Sequence, residues 1–203
     1  MYSIRIKPRF SSRRWKSPVT PASNKISITN LVTNGDFSDG TTGWSASGLS
    51  TISASNNILS VTTGAWNSGQ AYCNSNEFVE GDVYYYKIKA RVTTTSCLKI
   101  EYFISAGYDG FSQTNPVVNE WYELSYLDTI LEEEGGTDGI YYCRHTYGDS
   151  VAGRVMEMQY ALAINLTKDF GAGSEPTKEQ MDTLLSGMTN HWFNGTIEVD
   201  PIS

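Results

Sequence analysis

The sequence predicts an all-β protein, an antiparallel β-sandwich with an extended N-terminal arm and one short C-terminal helix. Three observations predict it. Long runs alternate apolar with polar side chains, as half-buried strands do. Clusters of Gly, Asn and Asp punctuate those runs through about 140 residues. A single stretch near the C-terminus carries the spacing of an amphipathic helix. Composition agrees: 203 residues suit one domain with an extension, and 18 Gly, 13 Tyr and only 18% charged residues lean towards β structure.

Residues 1–25, "MYSIRIKPRFSSRRWKSPVTPASNK", form the arm. They hold Arg5, Lys7, Arg9, Arg13, Arg14, Lys16 and Lys25 and no acid, which leaves 8 basic against 22 acidic residues in the body. An arm of +7 therefore precedes a body of −14. Three of the six prolines lie here and only "YSIRI" alternates, so the arm reads as extended. A solvated tail needs few apolar groups, yet Tyr2, Ile4, Ile6, Phe10 and Trp15 are interleaved with the cations. That mixture favours docking on a protein. Nucleic acid, which aromatics among Arg and Lys could also suit, ranks second because the acidic body would oppose a polyanion.

Residues 26–165 read as the sandwich. In "NLVTNGDFSDGTTGW", residues 30–44, the pairs Asn34-Gly35 and Asp39-Gly40 supply positive-φ positions that reverse the chain and lay Phe37 and Trp44 into the core. "DVYYYKIKARV" then sets Tyr84, Tyr86, Ile88, Ala90 and Val92 against Tyr85, Lys87, Lys89 and Arg91. "CLKIEYFIS" sets Leu98, Ile100, Tyr102 and Ile104 against Lys99, Glu101 and Phe103. The link "TTTS" is short enough for a hairpin between the two; their apolar faces coincide only for an even register, whose value stays open. Further strands are "EWYELSYL", "GIYYCRHTY" and "VMEMQYALAI", the last expected to place Met156, Met158, Tyr160, Leu162 and Ile164 on one face.

Residues 166–203 form a C-terminal cap. Thr177 and Gln180 have the spacing of a capping box, Pro176 and Met181 that of a staple, and Met181, Leu184, Leu185 and Met188 make one apolar stripe ending near Gly187. "HWFNGT" adds an aromatic plug and a turn.

The residues of the opening turn resemble a known signature. "NLVTNGDFSDGTTGW" looks like the start of carbohydrate-binding modules of the jelly-roll type, and "VEGDVYYYKIKARV", "NEWYELSYL" and "RVMEMQYALAI" follow in the order that family would place them, over about residues 28–165. The cap string "LTKDFGAGSEPTKEQMDTLL…HWFNGT" is similar to a motif that ends many tailed-bacteriophage structural and tail proteins. The first resemblance implies a jelly roll; the second implies a virion component, made in the host cytoplasm. Members of the module family often hold calcium near the opening turn. Here Ser38 stands where an acid is usual, and Tyr160-Ala161-Leu162 where an Asp is common, so no metal site is expected and Asp36 and Asp39 read as turn residues.

Sugar recognition needs flat aromatic faces beside polar groups that satisfy hydroxyls. The outward set offers Tyr85 and Phe103 with Lys87, Glu101 and Gln159, and Trp66 and Tyr108 sit on rim loops. Packing against another loop or subunit is the competing use of each aromatic. No catalytic motif is present: His145 and His191 lie in unrelated contexts, "EEEGG" reads as a solvated turn, and a hidden carboxylate pair would show only in three dimensions. No cofactor is expected. Cys73, Cys97 and Cys143 lack metal spacing and read as buried thiols, with one disulfide as the alternative. No apolar run matches a membrane span and no export signal is visible, so no membrane association is expected.

The expectation is a non-enzymatic bacteriophage virion component. Tyr2, Ile4, Arg5, Ile6, Lys7, Phe10, Arg13, Arg14 and Trp15 would anchor it to other capsid or tail proteins, and the jelly roll, as a homo-oligomer in the particle, would meet host-surface glycans. The alternative is a purely structural decoration or adaptor that uses the same face for subunit contacts. A sugar-binding accessory of a secreted glycosidase ranks third.

Overall fold

The computed structural model describes residues 24–47, 49–64, 68–74, 78–94, 97–104, 110–130, 140–147 and 152–202. The anchoring residues of the arm, and Trp66 and Tyr108, lie outside them. In chain order the strands are β1 (Ile26–Thr29), β2 (Trp44–Ser47), β3 (Thr51–Ser55), β4 (Ile58–Thr62), β5 (Ser68–Asn74) and β6 (Val83–Val92). Then come β7 (Cys97–Ile104), β8 (Gly110–Thr114), β9 (Tyr122–Thr129), β10 (Ile140–Tyr147), β11 (Val155–Asn165) and, after two helices, β12 (Thr196–Val199). The helices are α1 (Leu166–Phe170) and α2 (Lys178–Ser186).

Two five-stranded antiparallel sheets face each other, in the orders β2-β5-β10-β7-β8 and β3-β4-β11-β6-β9. The fold is the antiparallel sandwich that the alternating runs and turns imply, and the jelly roll that the resemblance implies. β6 behaves as its alternation predicts: Tyr84, Tyr86, Ile88, Ala90 and Val92 all enter the core between the sheets. The expected β6–β7 hairpin is not formed. β6 pairs with β9 and β11, whereas β7 pairs with β8 and β10 in the opposite sheet, so the short link crosses between layers. A hairpin-length connection permits a hairpin without requiring one. β1 belongs to neither large sheet, pairing with β12 instead.

The opening turn is built largely as its residues predict. Asn34 (φ 50°) and Gly40 (φ 60°) take the left-handed positions, and Phe37 meets Trp44 edge to face at 5.3 Å in the core. Gly35 has a different reason to be glycine. A Cβ there would stand 2.2 Å from the carbonyl oxygen of Ala161, so the position serves close approach and not chain reversal. The approach matters because β4 stops pairing with β11 at Met158, and residues 30–35 take its place: Leu31 N donates to Ala163 O at 2.8 Å, and Ala161 N to Gly35 O at 2.7 Å. Buried Asn30 locks this substitute strand. Its Oδ1 accepts from Val32 N and Ala163 N, and its Nδ2 donates to Phe193 O.

β11 departs from the expected single apolar face. A β-bulge between Met158 and Tyr160 inserts Gln159 as the extra residue, so every side chain beyond it changes sides. Met156 and Met158 enter the central core, as do Ala161 and Ala163. Leu162 and Ile164 point to the outer face with Tyr85, where Leu166, Met181, Leu185, Phe193 and Val199 cover them. Each large apolar side chain removed from water there contributes roughly 1.5–3 kcal/mol. The cap is thus a second core laid on the outside of one sheet.

α2 has the predicted capping box: the Thr177 side chain accepts from Gln180 N, and Gln180 Oε1 accepts from Thr177 N. Its last residue precedes Gly187, which keeps a right-handed φ of −75°; the left-handed residues come later, at Asn190 and His191. α1 is an additional single turn. Thr167 Oγ1 accepts from Val83 N and donates to Glu175, while Asp169 accepts from Thr29 N, which fastens the cap to β6 and β1.

Candidate functional site

Where the cap ends, the outer face of the β3-β4-β11-β6-β9 sheet opens into a cleft of about 390 Å³, lined by Asp36, Asn56, Asn57, Lys89, Gln159, Tyr160, Asn190 and Trp192. Local chemistry puts each residue there. Asn56 and Asn57 both have positive φ (52° and 58°) and form the two-residue turn of the β3–β4 hairpin, a conformation that asparagine accepts readily. Gln159 is exposed because the bulge expels it from the ladder. Tyr160, the next residue, is almost wholly buried and stacks on Trp192, with ring centres 6.5 Å apart and planes 19° from parallel. Trp192 is half-buried, so part of the indole remains open to the cleft.

Beside the cleft, Glu123 on β9 gathers the neighbouring charges. Its carboxylate lies 3.4 Å from Lys87 Nζ and 3.6 Å from Lys89 Nζ, and His191 Nδ1 stands 3.0 Å away. Burial alone would raise the Glu123 pKa, but the His191 hydrogen bond and the Lys87 charge together hold it below the ordinary carboxylate range. Burial, reinforced by the Glu123 charge, raises the Tyr160 phenol, which therefore stays neutral. Further along the same face Arg91 pairs with Glu157 at 2.7 Å and lies 4.6 Å above the Trp121 ring. The arrangement offers one aromatic surface among amides and a cation. It can hold a polar ring that has an apolar face.

The structure redistributes the expected sugar-binding residues. Gln159 lines the cleft. Tyr85 does not face solvent: it is 0% exposed beneath α2, and its hydroxyl donates to Asp182 Oδ1 at 2.6 Å. Lys87 is 5% exposed and lies in the ion pair with Glu123. Both point outward from the sheet as alternation requires, but the cap covers that part of the face. The side chains of Glu101 and Phe103 lie outside the described residues, as do Trp66 and Tyr108. Sequence reasoning missed Asp36, Asn56, Asn57, Lys89, Asn190 and Trp192 as a group. The Asn-Asn pair flanked by alternating segments could have marked the hairpin tip, whereas nothing local reveals that "HWFNGT" returns to it.

Among the described residues no group of three or more His, Cys, Asp or Glu side chains is placed to hold a metal ion. Asp36 instead accepts from the Ser38 amide and hydroxyl, and Asp39 N donates to Asn34 Oδ1. Cys73 is a free thiol in the core, pushed up to about 12 by burial and thus unreactive; the side chains of Cys97 and Cys143 lie outside the described residues. No helix among the described residues is long and apolar enough to cross a membrane.

No protein-family model and no curated protein matches the sequence. Solved structures do resemble the fold. An arabinose-bound α-L-arabinofuranosidase aligns with a TM-score of 0.53 at 11% identity, over 77% of this chain and 29% of that one. The CBM22-2 xylan-binding domain from Paenibacillus barcinonensis Xyn10C aligns at 0.49 and 13% identity, over 64% of this chain and 97% of that one. The enzymatically active domain of tailspike protein 4 from bacteriophage CBA120 aligns at 0.46 and 11% identity, over 66% and 21%. This chain therefore spans less than a third of the arabinofuranosidase and tailspike chains. The likeness to the arabinofuranosidase is one of fold alone, a two-sheet antiparallel β-sandwich.

Proposed function

We propose that this protein is a non-enzymatic bacteriophage virion component whose jelly roll binds carbohydrate in the Trp192 cleft. The observation that carries the reading is the placement of a partly open indole, braced by Tyr160, within reach of Asn56, Asn57, Gln159, Asn190 and Lys89. Sugars present C–H faces to aromatic rings and hydroxyls to amides, and this cleft supplies both. Asp36 is the single carboxylate among the cleft-lining residues, which favours binding over glycoside hydrolysis, since hydrolysis ordinarily uses two.

The virion assignment rests on the resemblance of the cap string to the phage motif. The basic arm would fasten the subunit to other capsid or tail proteins, and many copies per particle would let weak glycan contacts add through avidity. Calorimetric titration of surface glycans from candidate hosts tests the reading. Trp192→Ala should weaken binding at least tenfold in a protein that circular dichroism shows to be folded, although loss of the stack on Tyr160 should lower its melting temperature. Unaltered affinity in that variant would remove the cleft from the account. Particles that retain the subunit although it binds no glycan would instead favour the decoration role.

A further inference from the structure

On the far side of the cap, α2 and the last residues of the chain enclose a groove. One hollow of about 460 Å³ is lined by Glu179, Thr183, Leu184 and Asp200, and a second of about 320 Å³ by Ile26, Phe170, Glu175 and Pro176. Gln180, Pro201 and Ile202 line both, so the two hollows form one depression. Its apolar lining is Ile26, Phe170, Pro176, Leu184, Pro201 and Ile202, interrupted by Ser174, Gln180 and Thr183. Its charged lining residues are Glu175, Glu179 and Asp200, all acidic. Lys178, on the neighbouring turn of α2, is engaged by Asp182 at 2.7 Å.

The chain that precedes the described residues starts at this groove. Lys25 forms an ion pair with Asp200, and Ile26 lines the second hollow. The 23 residues before Asn24 contain six cations, no acid and apolar side chains among the cations, with Arg13, Arg14 and Lys16 flanking Trp15. Trp15 stands nine positions before Asn24, a reach of about 30 Å when extended, enough to span the depression. Apolar patches with Glu175, Glu179 and Asp200 among them complement that segment in both polarity and charge. Covalent attachment at the rim also gives it an effective concentration of about millimolar, which a free partner would have to match.

We propose that the groove between α2 and the C-terminal residues is the docking site of the same chain's N-terminal arm, with the Arg13–Lys16 segment seated over Leu184 between Glu179 and Asp200. Residues 1–12 would then leave the subunit from the cap and stay available to another protein. The inference does not depend on what the Trp192 cleft binds.

Limited trypsin digestion of the full chain, followed by intact-mass analysis, tests it. Cleavage after Arg13, Arg14 and Lys16 should be at least tenfold slower than after Arg5 and Arg9. The double variant Glu179→Lys with Asp200→Lys should abolish the difference, as should Trp15→Ser, which lies in the arm and leaves the sandwich and cap untouched. Equal rates in the parent chain, or protection that survives Trp15→Ser, would overturn the proposal. Protection that rises with protein concentration would also overturn it, because the occupant would then be the arm of a second copy.

Discussion

His191 Nδ1 lies 3.0 and 3.1 Å from the two carboxylate oxygens of Glu123, and this contact ties the cap to the sheet beside the cleft. His191 and its neighbour Asn190 both hold left-handed backbone, at φ 59° and 73°. Such residues persist where surrounding contacts over-determine them. Here the contacts are Glu123 on one side and the Tyr160–Trp192 stack on the other.

Glu123 should therefore make stability depend on pH. Its folded-state pKa is depressed, so it stabilises the fold above the ordinary carboxylate pKa, and that contribution fades as pH falls through the depressed value. Glu123→Gln should cost about 1–3 kcal/mol at pH 7, largely because Lys87 is left buried with a weaker partner. The difference from the parent should shrink on acidification. Urea unfolding of both proteins at pH 7 and pH 3 measures it, and an equal gap at the two pH values would refute the role.

Glycines of the opening turn should respond unequally to alanine. At Gly35 an added Cβ meets the Ala161 carbonyl oxygen at 2.2 Å, and the backbone contact between the turn and β11 must shift. Gly40 has open space around its Cβ direction and resists only through its φ of 60°. Gly35→Ala should cost about 1–3 kcal/mol or more, whereas Gly40→Ala should cost about 1 kcal/mol. Equilibrium unfolding ranks the two, and the reverse order would mean that Gly35 does not hold the turn against β11.

What the sequence makes legible follows from the range of each interaction. Alternation places Tyr84 and Tyr86 correctly because inward parity is a property of one strand. The box between Thr177 and Gln180 is readable because it spans three residues. Tyr85 is different: its outward parity is right, but its solvent is displaced by α2, nearly 100 residues later. The sheet partner of β6 is hidden for a similar reason, since a short link leaves the chain free to pair or to cross. The cleft was reachable only in part. Gln159 could be assigned to an outer face, but Trp192 and Asn190 reach that face through the tertiary path of the cap, which no local pattern encodes.

Gln159 provides the sharpest separation between architecture and binding. As the extra residue of the bulge it lets one strand bury Met158 inward and Leu162 outward. Gln159→Ala keeps the residue count, so the fold should persist with little change in stability, while a glycan held in the cleft loses one amide and binds several-fold more weakly. Deleting Gln159 should also spare the fold. Tyr160 would then follow Met158 directly, in the outward position opposite Lys89 that it already holds, so Ala161 and Ala163 would still face the central core and Leu162 and Ile164 the cap. Circular dichroism and size-exclusion chromatography of the two variants decide the matter: a deletion that unfolds or aggregates would show that β11 needs the bulge itself, and not only the sidedness it sets.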